Sequence, residues 1–227
     1  MICGFFHMGK NDFIIISLDG GAGTGKSTTA HSLSSALNLL HVDTGSHYRT
    51  MTRAFLNLSL KSDQVNQYLN KNNLNLGTVV DERRSYLLID GKRFDQTELR
   101  TSEINDNVSD FSSMEAIRNL LFDYQRSQVE IARRNHFKGI IMEGRDIGTV
   151  ILPDAHLKIY LEADSQIRAN RRKADGENDQ ITNRDEKDSS RKIAPLIPAN
   201  GCIRIDTGLL GIEEVTESLL EVIENVP

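Results

Sequence analysis

The 227-residue sequence predicts an α/β protein whose mostly parallel sheet is covered by helices on both faces. Two observations carry that expectation. Short apolar runs rich in β-branched residues alternate with helix-period segments along nearly the whole chain, and the first such run feeds a phosphate-binding loop. Phe13-Ile14-Ile15-Ile16-Ser17-Leu18 reads as a buried strand, followed directly by Gly20-Gly21-Ala22-Gly23-Thr24-Gly25-Lys26-Ser27-Thr28. The spacing from Gly20 through Gly25-Lys26-Ser27 fits G-x-x-x-x-G-K-[ST], in which backbone N–H groups wrap a phosphate. In that motif the lysine reaches the outer phosphates and the serine hydroxyl meets Mg²⁺. Gly20 to Thr28 are therefore the expected triphosphate-binding residues, Lys26 the catalytic cation and Ser27 the magnesium ligand.

The elements follow in order. Ser27 to Leu39 reads as a helix, with Leu33, Ala36, Leu37 and Leu40 at helical spacing and its N-terminus aimed at the anion. His41-Val42-Asp43, Gly139-Ile140-Ile141-Met142 and His156 to Leu161 read as further strands. Ile203-Arg204-Ile205 reads as the last, followed by a helix with Ile212, Val215, Leu219 and Val222 on one face. Residues 50–136 are too long for a simple crossover and should hold a small unit of their own. Within it, Ser85 to Asp90 is a strand, Asp90-Gly91 a hairpin turn and Lys92-Arg93-Phe94 the return. Met114, Ile117, Leu121, Tyr124, Gln128 and Ile131 mark one face of a long helix, with Arg118, Arg126, Arg133 and Arg134 assigned to its solvated side. Lys173 to Asn183 reads as a mobile polar loop.

A net charge of −5 argues against a nucleic-acid partner, and 38% hydrophobic residues with no apolar run near membrane-spanning length argue against a membrane one. A cytoplasmic monomer is expected. Cys3 and Cys202 stand far apart, without metal-ligand spacing or a disulfide framework. Met8 opens a second start-like segment, so residues 1–7 are expected to lie outside the fold.

Four clusters bear on the site. Asp43-Thr44-Gly45-Ser46-His47-Tyr48-Arg49 falls at a strand's carboxyl end, where open parallel sheets place ligand-contacting groups. Asp43 is read either as such a group or as a helix cap, and Arg49 in the first helical turn is no dipole compensation. Glu143-Gly144-Arg145-Asp146-Ile147-Gly148-Thr149 occupies an equivalent place and reads as a ligand site or a charged surface turn. Arg184, Asp188 and Arg191 share a helix face by i,i+4 and i,i+7 spacing, which alone describes an ion-paired surface helix. Leu99-Arg100-Thr101 is the fourth.

Together these residues resemble the bacterial cytidylate kinase family of nucleoside monophosphate kinases, over almost the whole chain from Phe13. The resemblance rests on the phosphate loop, Asp43-Thr44-Gly45 to Tyr48-Arg49, Leu99-Arg100-Thr101, Gly144-Arg145-Asp146-Ile147-Gly148-Thr149-Val150, Pro153-Asp154-Ala155 and Arg191-Lys192-Ile193-Ala194-Pro195-Leu196. It implies a P-loop NTPase three-layer fold, with residues 8–52 and 114–227 as the kinase core and 53–113 as an inserted monophosphate-binding domain. The lid would be short, at 173–183. It implies transfer of the γ-phosphate of ATP to CMP or dCMP with Mg²⁺. Arg49 and Arg145 would hold the CMP phosphate, Arg100, Asp146 and Arg191 the cytosine, and Arg184 with Asp188 the ribose and phosphate side. Thr44 would join the CMP site, and Arg49, Arg145 and Arg184 would join Lys26 in catalysis. Gly21 stands where the family usually has proline, and the lid is shorter than usual.

The chemistry agrees, because a monophosphate ionises near ~6 and offers its own nucleophile, leaving alignment and charge compensation to the protein. A P-loop kinase with another acceptor (UMP, or the hydroxyl of shikimate or dephospho-coenzyme A, with Asp43 or Asp146 as base) is the alternative. A P-loop ATPase switch is a further one.

Overall fold

The computed structural model describes residues 13–174, 176 and 181–224, with the backbone alone for 181–184 and 224. The expectation for residues 1–7 lies outside the described residues. β1 (Ile14–Gly20), α1 (Lys26–Leu37), β2 (Leu39–Asp43) and α2 (Thr44–Asn57) open the fold. α3 (Ser62–Leu69), the hairpin β3 (Leu76–Asp81) and β4 (Arg84–Ile89), α4 (Ser102–Ser112) and the long α5 (Glu115–Arg134) follow. β5 (Gly139–Gly144), a π-helical turn over Ile147–Ile151, β6 (Leu157–Glu162), α6 (Ser165–Ala174), α7 (Ile181–Ser189), β7 (Ile203–Asp206) and α8 (Ile212–Glu224) complete it.

Among the described residues the strands form a seven-stranded sheet in the order β3-β4-β2-β5-β1-β6-β7, parallel except for the β3–β4 pair. The two-residue period sorts each strand's side chains between the faces. Ile14, Ile16 and Leu18 pack with Ala30 and Leu33 of α1 and Val215 and Leu219 of α8. Leu40, Val42, Ile140 and Met142 pack on the opposite face with Ala132 of α5 and Ile147 of the π-helical turn. A third apolar cluster joins Met51 and Phe55 of α2, Ile104 and Phe111 of α4, Leu87 of β4 and Ile117 and Leu121 of α5.

β5 lies between β1 and β2, pairing Asp19 with Gly144 and Asp43 with Glu143. The carboxyl ends of these strands, far apart in sequence, therefore open side by side, which is where this sheet type places its ligands.

Several sequence expectations are corrected. α1 stops at Leu37 because Asn38 adopts the left-handed conformation and returns its N–H to Ser34 O, so Leu40 belongs to β2. The hairpin partner of β4 precedes it, with Glu82 at φ 51° in the turn, while Asp90-Gly91 yields only an isolated bridge between Ile89 and Lys92. Arg49 falls in the second turn of α2, which starts at Thr44. Arg118 is buried, not solvated, for it lies on the same inward face of α5 as Leu121 and Gln125. α7 ends at Ser189, so Arg191 follows the helix instead of sharing its face. The polar loop is narrower than expected, since α6 runs to Ala174 and α7 begins at Ile181.

Candidate active site

The phosphate loop is shaped by close approaches. A Cβ on Gly20 would lie 2.3 Å from Leu161 O, so only glycine lets β1 leave the sheet beside β6. Gly25, at φ 88°, caps α1 with no side-chain hydrogen bond, which leaves the helix's first N–H groups to an anion. Lys26 is buried and donates Nζ to Gly21 O at 2.6 Å and to Thr24 Oγ1 at 3.5 Å. Burial first, and the charge of Arg145 second, push its ammonium down to about 7. Ser27 Oγ donates to Glu143 Oε2 at 2.9 Å. The Ala22 N–H donates to Asp185 Oδ1 at 3.2 Å, and the other oxygen of Asp185 pairs with Arg168. A carboxylate thus lies on an amide that the motif reserves for phosphate.

A cavity of about 340 Å³ is lined by the phosphate loop together with residues of α2, α4, β5 and α7. Asp43 accepts the Ser46 N–H at 3.1 Å, which is the cap reading, although its residue also lines the cavity. Burial would raise its carboxyl, but the charges of His41 and Arg100 and the Ser46 N–H together hold it below the ordinary value. Thr44 Oγ1 donates to Glu143 O at 2.8 Å and ties the start of α2 to β5. Arg49 is buried, with Nη1 on Leu99 O at 2.8 Å. Arg145 Nε donates to Asp188 Oδ2 at 3.0 Å, and Arg191 Nη2 lies 3.7 Å from Asp188 Oδ1. Burial opposes the charge on Arg145, yet Asp188 and Asp185 outweigh it and raise its pKa, whereas on Arg191 burial prevails and lowers it.

Asp146 is buried against Arg118, whose Nη1 also donates to Ser112 O at 2.9 Å. The turn that presents Arg145 and Asp146 is fastened by Asp19, which accepts the N–H groups of Ile147 at 2.8 Å and Gly148 at 2.7 Å. Burial raises the Asp19 carboxyl to about 6 despite those bonds.

The cavity brings together Ala22, Gly23, Gly25, Lys26, Ser27, Thr28, Thr44, Arg49, Arg100, Arg145, Asp146, Asp188 and Arg191. Gly20, Gly21 and Thr24 shape the loop without lining the cavity, and the Arg184 side chain lies outside the described residues. Sequence reasoning assigned no role to Glu143, Arg118, Asp19, Asp185, Ser109 or Ser112. A helical wheel centred on Leu121 and Gln125 would have placed Arg118 inside, and the alternation of β1 puts Asp19 on the face of Ile15 and Ser17. Nothing in the sequence foretells the long-range pairs of Glu143 and Asp185.

A phosphate loop and a group of arginines lining one cavity define the class, a P-loop protein whose site suits phosphorylated ligands. A family model described as cytidylate kinase matches residues 16–225. The cytidylate kinase of Exiguobacterium sibiricum is 38% identical over 93% of this chain and 97% of its own, and that of Acholeplasma laidlawii 34% over 92% and 95%. The chain belongs to the cytidylate kinase family. A crystal structure of a Thermus thermophilus protein, 18% identical, superposes with a TM-score of 0.50 over 93% of this chain and 98% of its own, a likeness of fold.

Proposed function

We propose that the protein transfers the γ-phosphoryl group of ATP to CMP or dCMP, giving CDP or dCDP. The observation that carries this over a hydroxyl acceptor is that the carboxylates on the described cavity wall are already engaged. Asp43 caps α2, Glu143 holds Ser27 and His41, Asp146 holds Arg118, and Asp188 holds Arg145 and Arg191. Each thus carries a structural bond, and a phosphate dianion requires no protein base. Arg49 and Arg145 would clamp the acceptor phosphate opposite Lys26. Arg100, Asp146 and Arg191 would read the base, Thr44 would line the CMP site, and Arg184 with Asp188 would hold the ribose side.

Ser27 Oγ and Glu143 Oε2 form a compact pair of hard oxygen donors at the phosphate loop, a set that fits Mg²⁺ completed by substrate phosphates and water. When bound, the ion neutralises charge on the transferring phosphates. We read residues 53–113, which supply much of the third apolar cluster, as the acceptor-side unit of a core formed by 8–52 and 114–227. We read the protein as a monomer that works on nucleotide substrates in the cytoplasm. Measuring ADP formation with CMP, dCMP, UMP, AMP and shikimate tests the reading. CMP and dCMP should give the highest kcat/KM, and preference for shikimate would overturn it.

A further inference from the structure

We propose that His41 is a positioning residue which orients the carboxylate of Glu143 toward Ser27, an inference that rests on the reading of those two residues as the Mg²⁺ site. The register pairs His41 with Ile141 and Asp43 with Glu143, so the alternation of parallel strands puts His41 and Glu143 on the sheet face that α1 covers. Leu39 and Ile141 occupy that face as part of its apolar cluster, together with Ala30 and Leu33 of α1. An aliphatic side chain would suit position 41. The chain instead buries an imidazole there at 1% exposure, and its Nδ1 has no hydrogen-bond partner, which is unfavourable by itself.

Among the described residues its side-chain bond goes to the site. Nε2 meets Glu143 Oε1 at 2.8 Å, and a carboxylate can only accept, so Nε2 carries the proton. The other oxygen of the same carboxylate, Oε2, accepts from Ser27 Oγ at 2.9 Å in the first turn of α1. Fixing one oxygen from the buried side leaves the other presented at the phosphate loop. This is how an outer partner orients a carboxylate ligand, and loss of such partners typically costs ~10–100-fold in metal affinity.

The test compares His41→Leu, His41→Gln and His41→Asn by calorimetric binding of a non-hydrolysable ATP analogue with and without Mg²⁺, alongside thermal melting. Leu fits the aliphatic face without the donor, Gln places an amide N–H where Nε2 lies, and Asn is too short to reach. Metal-free binding should stay within about twofold of wild type in every variant, while the gain on adding Mg²⁺ falls ~10-fold or more in Leu and Asn and returns in Gln. If Leu does not fold, the contrast between Gln and Asn decides. A wild-type Mg²⁺ gain retained in Leu, or lost equally in Gln and Asn, would overturn the role of His41. A wild type with no Mg²⁺ gain would instead overturn the metal reading of Ser27 and Glu143.

Discussion

Replacing Arg118 by Met tests whether the buried pair with Asp146 organises the base end of the cavity. The two side chains are 6% and 5% exposed, so truncating one leaves the other's charge in a dry site. Removing one partner of such a pair costs about 3–5 kcal/mol, and the Ser112 carbonyl, which accepts from Arg118 Nη1 at 2.9 Å, loses its donor as well. Replacing both partners by apolar groups is often nearly neutral, so Arg118→Met/Asp146→Leu should be destabilised by less than the sum of the single variants. Urea unfolding of wild type, both singles and the double gives the coupling, expected at more than ~2 kcal/mol. The Michaelis constant for CMP should rise in each variant while that for ATP holds, because the proposed function assigns Asp146 to the base of the acceptor. Additive effects within ~0.5 kcal/mol would refute the buried pair, and a loss confined to ATP would refute its assignment to the acceptor.

Three other outcomes follow from the geometry. Lys26→Ala should lower turnover by about 10³-fold or more with an unchanged melting temperature in the absence of nucleotide, measured by coupled ADP release. Asp19, raised from 3.8 to about 6, favours the fold fully below pH 3.8 and loses that contribution as pH rises through 6; relative to Asp19→Asn, wild-type stability should fall by about 2 kcal/mol between pH 4.5 and 7.5 in urea melts. The acid limb of kcat/KM for CMP should follow the acceptor's own ionisation near ~6 and move when the phosphate is replaced by an analogue of lower pKa, whereas a limb that stays put would reveal a protein base.

Local chemistry was legible wherever it is written in consecutive residues. The phosphate loop, the strand ends at Asp43 and Glu143 and the amphipathic face of α5 follow from spacing and period, and these are the parts that the sequence placed well. What period cannot express is strand order. That β5 inserts between β1 and β2, bringing Arg145 and Lys26 to one cavity, depends on tertiary packing. Arg118 was misplaced because charge was taken to mean solvent, although a guanidinium with a buried carboxylate and a carbonyl to bind belongs inside. The hairpin was misread because Asp90-Gly91 is a strong turn signal, yet the half-buried run Leu76–Asp81 supplies the better partner for β4.

Phosphoryl transfer to the monophosphate is tested most directly by incubating the protein with CMP, Mg²⁺ and ATP labelled in its terminal phosphate, then separating the products. The label should appear in the β-position of CDP in a one-to-one ratio with ADP, and ADP should scarcely form without CMP. Label released as inorganic phosphate at the same rate with or without CMP would contradict the account and make the protein an ATPase.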